Sequence, residues 1–388
     1  DMGEVLAKSH KAKFMGAVLC LCLTLKGTAL AGTEPEVKAL GAVLMEAESG
    51  RVLWEKNAEA PLPNASTTKI MTCLIALESG MLDDTVTVSP NAASKPETRM
   101  GLSAGEKIKL RDLLYPMMLE SANDAAVAVA EHIAGSEEEF CDMMDERAIE
   151  IGATDTDFET ANGLDRDGHH STAMDMARIT AYALENEDFR EIISAPSATV
   201  KSDRRTYTVA NKDRLLKEYD GAIGVKTGFT GLAGQCFVGA AKRDGMTLIS
   251  VVLGSGWGSS GKERKWIDTK NLLNYGFENF ELYTLAEAGD FASEVSVKGA
   301  YEDNVVTEIS KKVVIPLTVE ERMGIKTKIN VPMEINAPIE KGQTVGELSF
   351  LSADGEILAK TDIIAAGDVA EKDFKSTALL LIKHWINR

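Results

Sequence analysis

The stretch NASTTKIM, residues 64–71, places Ser66 three residues before Lys69, where an apolar helical run begins. Residues three apart on a helix lie on one face, so the amine of Lys69 can come within hydrogen-bonding reach of the Ser66 hydroxyl. A lysine acts as a base only when it is neutral, and burial near a second cation lowers its pKa towards that state. The alternative for Lys69, taken by itself, is a solvated charge on a helix surface.

Two further motifs decide between these alternatives. The stretch ESANDAA supplies Ser121-Ala122-Asn123 in a break between two apolar helical runs, and GVKTGFTGLAGQC supplies Lys226-Thr227-Gly228 just before a predicted hairpin. A serine–lysine pair followed by these two motifs, in this order, is a specific combination of the kind that active-site-serine penicillin-binding enzymes use. We therefore predict that Lys69 faces Ser66 and that Lys226 is the second cation.

Ser66 is the predicted nucleophile. A serine at a helix start gains from the free backbone N–H groups and the helix dipole, which favour negative charge nearby. The backbone N–H groups of Ser66 and Phe229 can form an oxyanion hole. Ser121 can relay a proton to a leaving amine, although by itself it could be an ordinary turn residue.

The remaining motif residues suit the recognition of a peptide. Asn123 can bind a substrate amide through its carboxamide, or it can be an ordinary helix cap. Lys226 and Thr227 offer a cation and a hydroxyl to a substrate carboxylate, while Gly228 lets a substrate backbone approach closely. An edge strand at this motif could pair with the peptide. Lys212 is a further candidate for contact with the carboxylate.

Hydrophobic periodicity predicts a sheet built from both ends of the first 280 residues, with helices between its parts. Apolar strands on either side of Glu48-Ser49-Gly50 predict a hairpin within residues 39–56, and Arg243-Asp244-Gly245 joins predicted strands 235–242 and 246–253. The predicted fold class of this region is α/β or α+β. Helices are predicted over residues 67–77, 110–118, 125–133, 138–149 and 172–184.

The C-terminal third has a different pattern. The stretch GSGWGSSG, residues 254–261, is typical of a linker, but the amphipathic helix after it needs a sheet or bundle against which to bury its face, so we do not end the domain there. From residue 281, short β runs between turn residues predict a smaller all-β domain to residue 370. Residues 371–388 form a predicted amphipathic helix, which either packs on the β domain or lies in a membrane surface with its lysines at the headgroups.

The N-terminal residues have the pattern of an export signal. Three lysines precede an apolar run over residues 14–25, and small residues stand at 29 and 31, which predicts a signal peptide over residues 1–31. The run is too short to span a membrane, and a retained N-terminal anchor is the alternative. The net charge of −18 makes nucleic acid a poor partner. Three cysteines after residue 31 permit at most one disulfide.

With these motifs in view, the chain resembles the low-molecular-weight penicillin-binding proteins, the serine-type D-alanyl-D-alanine carboxypeptidases. The likeness is carried by the stretches PLPNASTTKIMT, LESANDAA, NGLDRDGHHSTAMDMA and GVKTGFT, and by the β-rich domain and terminal helix that follow. It implies a β-lactamase/transpeptidase-like catalytic domain over residues 32–280 and a smaller all-β C-terminal domain over residues 281–370.

The resemblance also implies a function. The expected substrate is a peptidoglycan stem peptide ending in D-Ala-D-Ala, no cofactor is expected, and β-lactam antibiotics are the expected inhibitors. The expected location is the cell-wall side of the cytoplasmic membrane, with attachment through residues 371–388.

Carried over residue by residue, the resemblance makes Ser66 the acyl-ester nucleophile, Lys69 the base, Ser121 the second catalytic serine and Lys226 a substrate-binding residue. One departure is small. A turn that often begins with proline in the family starts with alanine here, in Ala161-Asn162-Gly163-Leu164, which leaves the core motifs untouched.

Other functions remain open at this stage. A D,D-endopeptidase or transpeptidase would use the same residues, and a non-catalytic penicillin-binding sensor is disfavoured by the intact motifs. Class A β-lactamases use a glutamate with an asparagine four residues later, whereas Glu159 and Asn162 are three apart, so we interpret Glu159 as a surface acid. The histidines have no metal-ligand spacing, and the pair His169-His170 is interpreted as turn structure, so no metal site is predicted.

Overall fold

The computed structural model describes residues 34–96 and 98–372 of the 388-residue chain. The signal peptide predicted over residues 1–31 lies outside the described residues. The helix predicted over residues 371–388 also lies outside them, apart from its first two residues.

The helices of the described residues concentrate before residue 280. A 3₁₀ turn over Ala65–Thr68 runs directly into the first α-helix. The α-helices are α1 Lys69–Glu78, α2 Pro90–Ser94, α3 Leu110–Leu119, α4 Asn123–Ala134, α5 Glu137–Ile151, α6 Ala173–Ala183, α7 Glu187–Ser194, α8 Leu215–Glu218, α9 Gly258–Asn279 and α10 Val319–Gly324.

The strands fall into two regions of the chain. Those of the first region are β1 Gly41–Glu46, β2 Val52–Lys56, β3 Thr85–Thr87, β4 Lys107–Lys109, β5 Ser197–Lys201, β6 Thr206–Ala210, β7 Ala222–Thr230, β8 Gly234–Arg243 and β9 Met246–Leu253. Those of the second are β10 Glu281–Ala286, β11 Phe291–Lys298, β12 Asn304–Ile309, β13 Val313–Leu317, β14 Lys326–Asn330, β15 Glu334–Asn336, β16 Thr344–Leu351 and β17 Ile357–Ala365.

The central sheet of the first region is antiparallel and has the strand order β2-β1-β9-β8-β7. Helix α6 packs against β1 and β9, while α9 lies against β8 and β9. All eight residues of β9 are buried, as expected for a strand covered on both faces. Strand β7 is the edge strand, which leaves one side of its backbone available for pairing with a peptide.

Helix α1 is the core of the helical layer. Every residue from Lys69 to Leu77 is buried, because α3, α4 and α6 pack around it. A helix that is apolar all round needs such enclosure. The enclosure brings the polar start of α1 into the protein interior, beside the edge of the sheet.

The predicted hairpins and the five predicted helices are present in the structure, with boundaries that differ by a few residues. The Gly/Ser-rich stretch does not end the domain, because α9 begins within it at Gly258 and packs on the sheet. The sequence did not predict the two-stranded sheets β3–β4 and β5–β6. Strands β3 and β4 have three residues each and bury one of them, too little for a periodic pattern.

The second region is built from β strands, apart from the six-residue helix α10. Strands β10 and β13 pair with each other, and a six-stranded sheet has the order β14-β16-β17-β12-β11-β15. Two apolar clusters, one including Ile315 and Phe350 and the other Val295 and Val305, form its core. The prediction of a mixed domain followed by a smaller all-β domain is confirmed.

Arg51 connects the two regions. It follows the turn between β1 and β2, and its guanidinium donates hydrogen bonds to the Glu321 carboxylate on α10 and to the carbonyl oxygen of Pro316. The Arg51 and Glu321 side chains are both largely buried, so water screens this ion pair less than one on the surface. Among residues 34–96 and 98–372, no helix has the length and apolar character needed to cross a membrane.

The chain segment that enters β1 depends on Asp268 of α9. The Asp268 carboxylate is buried and accepts hydrogen bonds from the backbone N–H groups of Lys38 and Ala39, at 3.1 and 3.0 Å, and from Arg264 Nε at 2.7 Å. We predict that Asp268→Ala lowers the free energy of unfolding by about 3 kcal/mol, because it leaves buried donors and a cation without their acceptor. Urea unfolding of the purified chain measures this change.

The matched control for this substitution is Asp220→Ala. The side chain of Asp220 is 96% exposed, so its removal is expected to change the unfolding free energy by less than about 0.5 kcal/mol. Equal losses for the two variants would contradict the role given to Asp268.

Candidate active site

Ser66 lies in the 3₁₀ turn that precedes α1, and Lys69 is the first residue of that helix. The turn starts from Ala65, whose φ of +49° lies in the left-handed region. A non-glycine residue with positive φ is uncommon and marks a backbone held by its surroundings. The Ser66 side chain is half-buried, at the point where the helical layer meets the sheet.

The amine of Lys69 has three polar neighbours. Its Nζ lies 2.8 Å from Ser66 Oγ and 2.9 Å from Asn123 Oδ1, and it also contacts the carbonyl oxygen of Asn162. The two asparagine oxygens can only accept hydrogen bonds. A neutral amine would donate its two N–H groups to them and direct its lone pair at the Ser66 hydroxyl.

Burial favours this neutral form. The Lys69 side chain is fully inaccessible to solvent, and desolvation together with the nearby charge of Lys226 holds the pKa of its amine well below the usual range of lysine. Asp124 acts in the opposite direction. Its carboxylate, however, accepts hydrogen bonds from the backbone N–H groups of residues 100–102, at 2.8 to 3.0 Å, so it fixes a loop rather than pairing with Lys69.

The turn at Asn162 and Gly163 lies directly against Ser66. The carbonyl oxygen of Asn162 is 3.4 Å from Ser66 Oγ, and its side-chain Oδ1 accepts a hydrogen bond from the Leu164 N–H. Gly163 has a φ of +79°, and a Cβ at this position would stand 1.9 Å from the carbonyl oxygen of Ala65. Only glycine fits here, and the alanine at position 161 leaves this geometry intact.

The Ser-Ala-Asn motif bridges α3 and α4. Asn123 is the first residue of α4, and its side-chain Nδ2 donates to the carbonyl oxygen of Pro96 at 3.2 Å, which turns Oδ1 towards Lys69. Ser121 is half-buried and has a φ of +66°. Two residues of this site, Ala65 and Ser121, therefore have left-handed backbone without being glycine.

The Lys-Thr-Gly motif lies on edge strand β7. A Cβ on Gly228 would be 3.1 Å from the backbone nitrogen of Ser66, so the strand passes as close to the serine as a side chain would allow. The side chain of Thr227 is half-buried, and that of Phe229 is 53% exposed at the strand's outer end. Lys226 is buried, and its Nζ donates to the Thr227 carbonyl oxygen at 2.9 Å.

Lys226 also has an unusually low pKa for a lysine. Burial, and then the charges of Lys265 and Lys212, lower the pKa of its amine to about 7, while Asp213 opposes that shift. Lys212 itself is close to the Ser-Ala-Asn loop, with its Nζ 3.4 Å from the carbonyl oxygen of Glu120.

His169 contacts Thr68, the last residue of the turn that contains Ser66. Its Nδ1 accepts a hydrogen bond from the Glu159 N–H at 3.0 Å, and its Nε2 lies 2.9 Å from Thr68 Oγ1. Burial lowers the pKa of the imidazole to about 4, so the ring is neutral near pH 7. The sequence interpretation of the histidine pair as turn structure missed this contact. The Glu159 side chain lies at the surface near Arg166, as interpreted from the sequence.

The structure thus places Ser66, Lys69, Asn123 and Gly228 together. Lys226 belongs with them because its charge lowers the pKa of Lys69. Asn162, Gly163 and Asp124 also belong there, and sequence reasoning gave them no role. Within residues 34–96 and 98–372, no group of three or more His, Cys, Asp or Glu side chains could hold a metal ion. The three cysteines of that part of the chain, Cys73, Cys141 and Cys236, are free and buried.

Comparison with known protein families gives two matches along the chain. A family model described as D-alanyl-D-alanine carboxypeptidase matches residues 28–256. A second, described as penicillin-binding protein 5, C-terminal domain, matches residues 280–371.

Individual proteins show the same likeness over most of the chain. D-alanyl-D-alanine carboxypeptidase DacF of Bacillus subtilis is 36% identical over 344 residues, which cover 87% of each protein. DacA of Escherichia coli, which has the same enzyme name, is 30% identical over 372 residues, covering 90% of this chain and 89% of that protein. The crystal structure of penicillin-binding protein 5 from Haemophilus influenzae superposes with a TM-score of 0.77 at 31% identity, over 88% of this chain and all of that one. The family resemblance and fold class inferred from the sequence are confirmed.

The close approach of Gly163 to the serine turn can be tested by Gly163→Ala. The added Cβ would overlap the Ala65 carbonyl oxygen and displace the turn, so we predict at least about 100-fold slower labelling of Ser66 by a fluorescent penicillin. Gly152→Ala is the matched control, because Gly152 also has positive φ but a Cβ added there would meet nothing within 4 Å. Wild-type labelling rates in Gly163→Ala would show that the turn does not position the site.

Proposed function

The chain belongs to the D-alanyl-D-alanine carboxypeptidase family, and we propose that Ser66 is the nucleophile with which it removes the terminal D-alanine from peptidoglycan stem peptides. It is a serine peptidase of peptidoglycan metabolism. The observation that carries the assignment of Ser66 is the buried amine of Lys69, whose Nζ is 2.8 Å from the Ser66 hydroxyl oxygen. This is the hydrogen-bonded pair that an activated serine requires.

Substrate binding uses the free edge of β7. The stem peptide lies alongside the strand, with its terminal carboxylate at the Lys226 ammonium and the Thr227 hydroxyl. Asn123 contributes its carboxamide to a substrate amide. The carbonyl of the penultimate D-alanine then points to the backbone N–H groups of Ser66 and Phe229, which stabilise negative charge on its oxygen.

Acylation begins when Ser66 Oγ attacks that carbonyl carbon and Lys69 takes the hydroxyl proton. A tetrahedral intermediate forms, and its collapse breaks the bond between the two D-alanine residues. Ser121 relays this proton from Lys69 to the leaving amine, so the terminal D-alanine departs as a neutral amine and Lys69 is neutral again. The remaining peptide stays attached to Ser66 as an ester.

Hydrolysis of the ester completes the cycle. Lys69 takes a proton from water, water attacks the ester carbonyl, and the proton returns to Ser66 Oγ. The released stem peptide no longer has a D-Ala-D-Ala bond. Cross-linking is driven by cleavage of that bond, so the reaction limits cross-linking of the wall. β-Lactams present an amide to the same serine and remain attached as esters.

The alternatives differ in the fate of the acyl group. A transpeptidase would pass it to an amine, and a D,D-endopeptidase would cleave a cross-link, both with the same residues. A β-lactamase of class A would need a carboxylate beside the acyl-enzyme to activate water, whereas Glu159 is oriented towards Arg166 at the surface. The intact set of Ser66, Lys69, Ser121 and Lys226 argues against a non-catalytic sensor.

Three expectations about the rest of the chain are part of the proposal. We place the catalytic domain at residues 32–280 and the β domain at residues 281–370, a division supported by β10 pairing with β13 rather than with the central sheet. Residues 1–31 act as a signal peptide that exports the enzyme to the cell-wall side of the membrane. Residues 371–388 attach it to the outer face of that membrane as an interfacial helix.

The catalytic assignment predicts a covalent adduct that depends on Ser66. Residues 32–370 mixed with benzylpenicillin should gain the mass of the drug, and the same protein should release D-alanine from diacetyl-Lys-D-Ala-D-Ala. Ser66→Ala should do neither. Lys69→Arg keeps a cation but lacks a group that can lose its proton near pH 7, so we expect acylation at least about 1,000-fold slower. Intact-protein mass spectrometry and a D-alanine assay measure both effects.

Each other outcome identifies a different function. An adduct without release of D-alanine would indicate a sensor or a transpeptidase, and rapid loss of the drug would indicate a β-lactamase. An adduct that survives in Ser66→Ala would exclude Ser66 as the nucleophile.

The membrane assignment predicts that deleting residues 371–388 moves the exported enzyme from the membrane fraction to the soluble fraction. The physical reason is that the deletion removes the apolar face that inserts among the headgroups. The control is the D-alanine release of the truncated enzyme, which should equal that of the full chain. A truncated enzyme that still sediments with membranes after signal cleavage would exclude this attachment.

A further inference from the structure

Three buried charged side chains lie close enough to act on one another's pKa. Lys226 comes from β7, Lys265 from α9, and Asp213 from the loop before α8. Charged groups with so little exposure are rare in proteins unless they are paired or functional. The mechanism proposed above uses Lys226 and leaves Asp213 and Lys265 without a role.

Asp213 has hydrogen bonds at only one end of its carboxylate. The side chain is 5% exposed, and its Oδ1 accepts a hydrogen bond from the Leu215 N–H at 2.8 Å, at the start of α8. The other oxygen, Oδ2, is buried and has no hydrogen-bond partner among the described residues. A buried carboxylate oxygen without a partner is costly, which calls for an explanation beyond capping a four-residue helix.

Within the described part of the chain, the two lysines lack a carboxylate in direct contact with their amines. The Lys226 amine donates to the carbonyl oxygen of Thr227, a neutral acceptor. The Lys265 amine donates to Gln235 Oε1 at 2.8 Å and lies 5.2 Å from the centre of the Trp266 ring, again without a carboxylate in contact. Neither ammonium group has a direct anionic partner in these bonds.

Electrostatic coupling joins the three groups. Beyond the effect of burial, Lys265 and Lys212 lower the pKa of Lys226 while Asp213 raises it. Burial raises the pKa of Asp213 to about 7, and the Leu215 N–H and the charges of Lys226 and Lys265 act against that rise. Burial lowers the pKa of Lys265 to about 8; Cys236 and Asp213 act against that fall, whereas Arg214 and Lys262 add to it. Lys69 faces Lys226 from the serine side. Above its pKa of about 7, Asp213 supplies the negative charge in a group that otherwise consists mainly of cations.

We propose that Asp213 is a positioning residue whose buried carboxylate keeps the Lys226 amine charged for the substrate carboxylate, and that Lys265 acts against it from α9. The proposal rests on the proposed function, in which Lys226 binds that carboxylate. Its physical basis is that a cation in a desolvated site is retained only when an opposite charge offsets the cost of burial.

A purely structural role for Asp213 predicts something different. As a cap of α8, the residue would affect folding and leave the pH dependence of catalysis unchanged. Asp213→Asn separates the two roles, because an asparagine oxygen can still accept the Leu215 N–H while the negative charge is lost.

The test is the second-order rate of Ser66 acylation by benzylpenicillin between pH 5.5 and 9. The pKa of Lys226 is lowered to about 7 in the wild type, and loss of the Asp213 charge lowers it further. If that fall is about one unit, Asp213→Asn acylates about 10-fold more slowly than wild type at pH 8.5 and within about 2-fold of it at pH 6. The control is Asp220→Asn, which removes the same charge from an exposed side chain and should leave the profile unchanged.

Two further measurements test whether the effect of Asp213 depends on the carboxylate of the ligand. Benzylpenicillin methyl ester lacks that carboxylate, so its acylation rate should differ little between wild type and Asp213→Asn at any pH. Lys265→Met removes the opposing cation and should move the alkaline limb of the benzylpenicillin profile to higher pH, opposite to the effect of Asp213→Asn.

The outcomes separate this proposal from the function on which it rests. Wild-type acylation with an unchanged profile in Asp213→Asn, or shifts of the same sign in both variants, would overturn the role of Asp213 and leave the carboxypeptidase assignment standing. An equal loss with the acid and the methyl ester would also overturn it. A wild-type protein that is not acylated on Ser66 would contradict the proposed function itself.

Discussion

The burial of the Lys69 amine, which lowers its pKa towards the neutral state, is the constraint on which the rest of the site depends. An amine that is fully out of water and has only oxygen acceptors on two sides can present a lone pair to Ser66 only if it is neutral. The acceptors come from the start of α4 and from the turn at Asn162, so three separate parts of the chain must meet at one nitrogen atom. The catalytic chemistry depends on the convergence of these three parts at Lys69 Nζ.

The packing of helices and strands around Lys69 excludes water from its amine. Helix α1 is surrounded by other helices, and its polar start is covered by edge strand β7 and by the Asn162 turn. Close packing at this point leaves room for glycine alone at position 163, and a Cβ at position 228 would already be only 3.1 Å from the Ser66 nitrogen. The neighbouring Lys226 acts in two ways, because its charge disfavours a second cation at Lys69 and at the same time attracts the carboxylate of a substrate.

The motif side chains of this site, such as Ser66, Lys69 and Asn123, were predicted from the sequence. The sequence also predicted the hairpins and long helices, because their apolar periodicity extends over enough residues to be distinctive. It did not reveal the role of the Asn162 carbonyl, since every residue has one and only the folded backbone brings it to Lys69. Asp124 and His169 were missed for a related reason: each acts through contacts distant in sequence, which no local pattern records. Asp213 was missed because its burial is a property of the fold.

The charge of Lys69 can be measured directly by NMR with lysine labelled at Cε and Nζ, using Lys69→Arg to assign the signal. We expect the amine to be neutral at pH 7 and to titrate well below the ordinary lysine pKa of about 10.4. A Lys69 signal that stays that of an ammonium group up to pH 9 would contradict the account, because the residue could not then take the proton from Ser66.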